Sequence, residues 1–278
     1  MRIYSDSTSV YSLNSASLDT NVVLGTGTHN VVVQAWDSTG AVFKNSFQIA
    51  VSGSADTGGT TIPSTAKTFS KIEEMPGWEN CTVCAGPGGN GSVARYSMTQ
   101  GVSSPSVDGN AAGFWIGGTT KYTSALWWKQ LGANSGVSHF VYDLQFYIKD
   151  SNSAFALEFD VNQSTGGHRY VMGTQCGNRY DKQWDVWDTY DKHWIPTGIS
   201  CTGLAPYAWH HLVEETYRAN GRIYYVSITL DGVKHYVNRN YGSISNSAND
   251  INVAFQMDMD GTPHPFNAWL DQVKLSYW

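Results

Sequence analysis

Residues 208–234 read AWHHLVEETYRANGRIYYVSITLDGVK. Two turn signals, RANG at 218–221 and LDGV at 230–233, part three runs: HHLVEETYR, RIYYVSITL and VKHYVNR. Asn-Gly and Asp-Gly are the residue pairs that two-residue hairpin turns prefer, so the stretch predicts consecutive antiparallel strands. Outward from it lie further strand-like runs: SALWWKQL, HFVYDLQFYIK, AFALEFDVN, HRYVMGTQ and QWDVWDT before, INVAFQMDMD and AWLDQVKLSYW after. Ten or so strands with no helical run imply an all-β, two-sheet jelly roll over residues 68–278.

Composition agrees. Charged residues are 14% of the 278, against 28 glycines and 13% aromatics, a balance that suits many tight turns and argues against long helices. The net charge of −6, with no basic cluster, argues against nucleic acid as a partner. No apolar run approaches the ~18–20 residues that cross a bilayer. The start, MRIYSDSTSV, lacks an apolar signal core and reads as a strand entered partway, so an export signal is expected upstream. Residues 53–67, GSADTGGTTIPSTAK, have linker composition. Residues 1–52 alternate in short bursts (SVYSL, NVVL, HNVVVQAW, SFQIAVS), the pattern of a small antiparallel sandwich.

Four cysteines stand at 81, 84, 176 and 201. Two structural bridges are expected, Cys81–Cys84 and Cys176–Cys201, the second tying down the segment QWDVWDTYDKHWIPTG. A four-cysteine zinc site is the alternative, but the paired CxxC…CxxC spacing is missing. The bridges favour a secreted protein.

The chemistry concentrates in AFALEFDVNQ, residues 154–163. On a strand, Leu157, Phe159 and Val161 line one face and Glu158, Asp160 and Asn162 the other. Two carboxylates this close on one face repel and raise a pKa, as acid–base chemistry uses. INVAFQMDMD repeats the pattern with Gln256 and Asp258, which come within reach of Glu158 if the strands are neighbours. The bland reading of Asp258 is a turn cap or a calcium ligand. Among 11 tryptophans, Trp128, Trp184 and Trp187 are candidates to stack on sugar rings, although parity assigns one of Trp127/Trp128 and one of Trp184/Trp187 to the core. His168, after a Gly-Gly turn, is a candidate sugar contact. His210 and His211 read as structural.

Three of these stretches resemble the concanavalin A-like fold of laminarinase- and lichenase-type glycoside hydrolases. ALEFDVN with HRYVMGTQ resembles the catalytic strand, AWHHLVEETYRANGRIYYVSITLDGVK the hairpin, and AWLDQVKLSYW the closing strand. Laminin-G-like modules share the last two. The resemblance, which covers residues 126–278, implies Glu158 as nucleophile and Asp160 as its helper. It places the acid at Asn162 if the strand is regular, or at Gln163 if it bulges. Neither amide delivers a proton, so Asp258 is the expected donor. The resemblance further implies a structural calcium at Asp271, with no cofactor required. Residues 1–52 resemble bacterial immunoglobulin-like modules lacking their opening strands, at about half the ~100 residues of such a sandwich. Three function classes stay open: a hydrolase of a β-glucan-like polysaccharide, a glycan-binding module with Asn162, Gln163 and Gln256 as contacts, and an adhesive surface protein. A monomer is expected in each case.

Overall fold

The computed structural model describes residues 1–18, 27–51, 60–82, 94–149, 155–178, 181–201, 204–262 and 264–278. The chain divides into two compact units, Met1–Gly59 and Thr60–Trp278. The described residues of the first unit form one four-stranded antiparallel sheet in the order Thr8–Ser12, Arg2–Ser5, Gly27–Trp36, Val42–Val51. The second sheet of the sandwich expected for residues 1–52 is not formed among the described residues. Ile3 and Val31 are buried, but Phe43 and Phe47 on the Val42–Val51 strand stay exposed.

The second unit is built from two facing antiparallel sheets, as expected. The backing sheet runs Val233–Gly242, Arg222–Leu230, Ala208–Ala219, His139–Ile148, Phe266–Tyr277, Ala111–Gly117, Arg95–Val102. Lys67–Ser70 also pairs with the second half of Phe266–Tyr277. The front sheet runs His193–Ser200, Gln183–Asp188, His168–Cys176, Ala156–Thr165, Asp250–Asp258, Ser124–Gly132, Trp78–Cys81, with Ile244–Ser245 on the His168–Cys176 strand. A single 3-10 turn, Ile72–Glu74, is the one helical element among the described residues, and no helix there is long and apolar enough to cross a membrane.

Turn chemistry sets this order locally. Asn220 and Gly221 (φ 52° and 72°) and Asp231 and Gly232 (φ 50° and 81°) adopt the left-handed conformations that the two hairpins require. Between the sheets runs a line of rings, Phe146–Phe159–Phe255–Phe114–Trp127, with successive centroids 5.0–5.4 Å apart. Each ring buried this way stabilises the fold by about 1.5–3 kcal/mol relative to an exposed one.

Cys176 and Cys201 are bridged, with Cα atoms 5.7 Å apart, and both are buried. The bridge fastens the end of the His168–Cys176 strand to the end of His193–Ser200, so it holds the outer two strands of the front sheet. Cys81 ends the Trp78–Cys81 strand. Cys84, and with it the expected Cys81–Cys84 pairing, lies outside the described residues.

Asp271, expected to help hold a calcium ion, is engaged in hydrogen bonds. Its Oδ2 accepts hydrogen bonds from Ser106 Oγ and the Val107 N–H, both at 2.6 Å, and its Oδ1 accepts the Gln272 N–H. The carboxylate is fully buried and pins the 106–108 loop to the closing strand, where Gln272 bulges at φ 52°. Its oxygens are turned to N–H and O–H donors, which a cation would have to displace. Among the described residues, no group of three His, Cys, Asp or Glu side chains is arranged to hold a metal ion.

Candidate functional site

The strand Ala156–Thr165 pairs with both neighbours without a register shift. Its alternation is therefore regular, and the position left open between Asn162 and Gln163 falls on Asn162. Glu158, Asp160 and Asn162 point away from the core, as expected. They are nonetheless only 8%, 9% and 5% exposed, so this is no solvated surface.

Register across the front sheet arranges the open face in rows. At the level of Asp160, the neighbours are Gly173 on one side and Ala254 on the other. Beyond Ala254 stands Trp128, and beyond Gly173 stand Trp187 and its cross-strand partner Trp194. The Trp187 and Trp194 rings meet edge to face, 5.0 Å between centroids. Small residues thus flank the carboxylate, with indoles at both ends. The Trp128 and Trp187 strands are four strand spacings apart, about 19 Å at ~4.8 Å each.

Gly173 is needed there. A Cβ on it would stand 2.8 Å from Asp160 Oδ1 and 3.2 Å from Trp187 Cβ, closer than packed atoms tolerate. At the level of Glu158 the row is polar: Asp185, Gln175, Glu158, Gln256. Gln175 Nε2 donates to Asp185 Oδ2 at 2.9 Å. At the level of Asn162 an amide ladder forms, with Asn162 Nδ2 donating to Asn252 Oδ1 at 3.1 Å.

The carboxylates meet as the repeated strand pattern anticipates. Asp250–Asp258 is the direct neighbour of Ala156–Thr165, and Glu158 lies opposite Gln256. The Gln256 amide donates to both Glu158 Oε1 and, at 3.1 Å, Asp258 Oδ1. Glu158 and Asp258 lie close enough to act on each other's pKa. Burial, then the charges of Asp258 and Asp160, raise the pKa of Glu158 well above the ordinary range. Burial also raises Asp258, against hydrogen bonds from Ser124 and Gln256. Asp160 is pushed up to about 7 by burial, although Arg169 draws it down. Asp160 Oδ1 and Asn162 Oδ1 are buried without a hydrogen-bond partner.

Trp128, Trp187 and Gln256 therefore join Glu158, Asp160, Asn162 and Asp258 on one face. Three expected contacts do not. Trp184 is fully buried in the core against Phe159, being the inward member of its pair. Gln163 has the parity of Phe159 and is fully buried, where it accepts from the Arg218 guanidinium and donates to the carbonyls of Asn134 and Val137. It closes the end of the core. His168 is exposed, bonds Ser243 Oγ at 3.0 Å, and lies seven residues from Gln175 along its strand, about 23 Å at ~3.3 Å per residue. That separation removes it from the carboxylates.

Sequence reasoning missed Trp194, Asn252, Gln175 and Asp185. Trp194 sits in HWIPTGIS, where Pro196 and Gly198 read as a loop. The structure makes it the edge strand His193–Ser200, a position where proline is tolerated.

No protein-family model matches the chain, and no characterised protein matches it in sequence. Similar solved structures include the cellulose-induced protein Cip1 (12% identity, 74% of this chain and 96% of that one, TM-score 0.46). A carbohydrate esterase from the Shiga toxin-encoding bacteriophage phi24B is similar over 76% of this chain and 98% of its own, at 12% identity and TM-score 0.45. The Bacillus licheniformis beta-glucanase is similar over 77% and 98%, at 10% identity and TM-score 0.40. Likeness at this level leaves the function to be argued from the site itself.

Proposed function

We propose that the open face of the front sheet binds a polysaccharide chain, and that the protein does so outside the cell. The row Trp194–Trp187–Gly173–Asp160–Ala254–Trp128 carries this reading. Pyranose rings present apolar C–H faces that stack on indoles, and their hydroxyls need hydrogen-bond partners between the stacking points. Indoles at both ends with acid and amide groups between them meet both needs. The buried Cys176–Cys201 bridge is in keeping with an oxidising compartment. The test is binding to a panel of soluble and insoluble polysaccharides by the intact protein and by Trp187→Ala. Retention on no polysaccharide would refute the reading, and retention untouched by the substitution would move the site elsewhere.

Hydrolysis of a β-glucan-like chain is a second reading, favoured by one observation. Glu158 and Asp258 lie within reach of each other and both have raised pKa values, so an acid and a base can stand together there. In this reading Glu158 acts as nucleophile or base, Asp160 tunes it and Asp258 donates the proton. The contact between the two is closer than the ~5–5.5 Å or ~6.5–9.5 Å that retaining and inverting hydrolysis use, so a substrate must part them. Reducing-end release that disappears in Glu158→Gln supports catalysis. Tight binding with no release from any glycan leaves binding alone.

A further inference from the structure

We propose that the glycan held on this face carries ammonium groups: the ligand is a β-linked amino-sugar chain. The proposal rests on the glycan-binding reading above and names its ligand class. Three carboxyl groups, Glu158, Asp160 and Asp258, gather on one buried patch. Among the described residues, no lysine or arginine forms an ion pair with any of them. Arg169, on the adjacent strand, acts on Asp160 only electrostatically. The donors present are the Gln256 amide and the Ser124 hydroxyl, both spent on Glu158 and Asp258.

A second observation points the same way. Two acceptors on this strand, Asp160 Oδ1 and Asn162 Oδ1, have no partner although their residues are only 9% and 5% exposed. The Asn162 oxygen belongs to no charge cluster and still lacks a donor. Acceptors are thus in excess on this strand, beside carboxyl groups that keep their protons for want of a cation. A hydroxyl brings one donor and two acceptors of its own, whereas an ammonium brings three donors, no acceptor and a charge that lets a neighbouring carboxyl group give up its proton.

The surroundings choose which ammonium. Gly173 lets Trp187 and Trp194 pack close beside Asp160, and Ala254 on the other side is small, so a sugar ring stacked on the indoles would bring a small substituent near the carboxyl group. Indole faces also attract cations. Other titratable or charged groups facing the cluster are Arg169 and Asp185 from the front sheet, and Glu214, Tyr142 and Tyr225 from the interior. None of the interior groups supplies a positive charge.

Calorimetric titration of the intact protein at about pH 6 with a glucosamine pentamer, its N-acetylated counterpart, cellopentaose and a lysine pentamer tests this. The glucosamine pentamer should bind at least about tenfold more tightly than either neutral sugar, as a charge-assisted contact predicts. Asp160→Asn and, independently, Glu158→Gln should draw that ratio toward one. Should one variant fail to fold, the other and the wild-type ratio still decide. Equal affinity for the three sugars overturns the ammonium assignment while leaving glycan binding standing. A lysine pentamer binding as tightly as the glucosamine pentamer overturns the sugar assignment. No binding of any pentamer removes both this inference and the reading it rests on.

Discussion

Phe159 and Asp160 are chain neighbours on opposite faces of one sheet, and both are hidden from water, at 0% and 9% exposure. Their surroundings differ in kind. Phe159 meets Phe146, Trp184 and Phe255, apolar on apolar. Asp160 stands beside Gly173, with Trp187 and Trp194 beyond it, one oxygen unpartnered and its pKa raised to about 7. Burial on the inner face stabilises the fold. Burial on the outer face opposes it, because a desolvated carboxylate without a partner costs free energy. A face kept at that cost is where a binding or catalytic role is expected.

The largest effect that sharpens the contrast belongs to the inner face. Phe159→Ala should cost about 3–5 kcal/mol, read from urea unfolding. A loss under about 1 kcal/mol would show that the ring line is not the core of the domain.

The bridge comes next, since it holds the outer strands that carry Trp187 and Trp194. Replacing Cys176 and Cys201 together by serine should cost about 3 kcal/mol, given the 25-residue separation. Glycan binding should weaken as well, and a variant with unchanged melting temperature would contradict this role.

The buried carboxyl groups, on the outer face and inside, predict an unusual pH dependence. Glu73 and Asp160 are raised to about 7, and burial lifts Glu158, Glu214 and Asp258 too. The native state therefore binds more protons than the unfolded chain between the ordinary carboxyl pKa and about 7. Stability is then fully present below the unfolded pKa values and is lost as pH rises through the folded ones. The melting temperature should be highest near pH 4–5 and fall by roughly 5 °C or more by pH 8. Asp160→Asn should flatten part of that slope. A melting temperature that rises from pH 5 to 8 would mean these carboxyl groups are solvated.

The smallest effect on stability separates the two faces most cleanly. Trp187→Ala should cost only about 1 kcal/mol, since the ring is half-buried on the open side, yet weaken glycan binding at least about tenfold. Trp184→Ala, on the same strand, should do the reverse: about 3–5 kcal/mol of stability lost, with binding altered only through unfolding. Equal effects of the two on binding would break the comparison.

The alternation of ALEFDVN, QWDVWDT and INVAFQMD was enough to separate Glu158, Asp160 and Asn162 from Leu157, Phe159 and Val161. It also left one member of each tryptophan pair for the outside. The hairpin turns at Asn220–Gly221 and Asp231–Gly232 were legible because positive φ at two successive residues leaves few residue types able to adopt it. These are local consequences of a two-residue period and of backbone sterics. Parity along one strand, however, says nothing about which strands lie beside it. That Asp258 comes near Glu158, that Gly173 lets two indoles pack beside Asp160, and that Trp194 completes a row begun by Trp128 all follow from register across five to six strands. Those strands are brought together from residues 124 to 258. Gln163 shows the same limit from the other side. Its residue type suggested a ligand contact, but the Arg218 guanidinium waiting at the end of the core belongs to the opposite sheet, and only packing the two sheets together places it there.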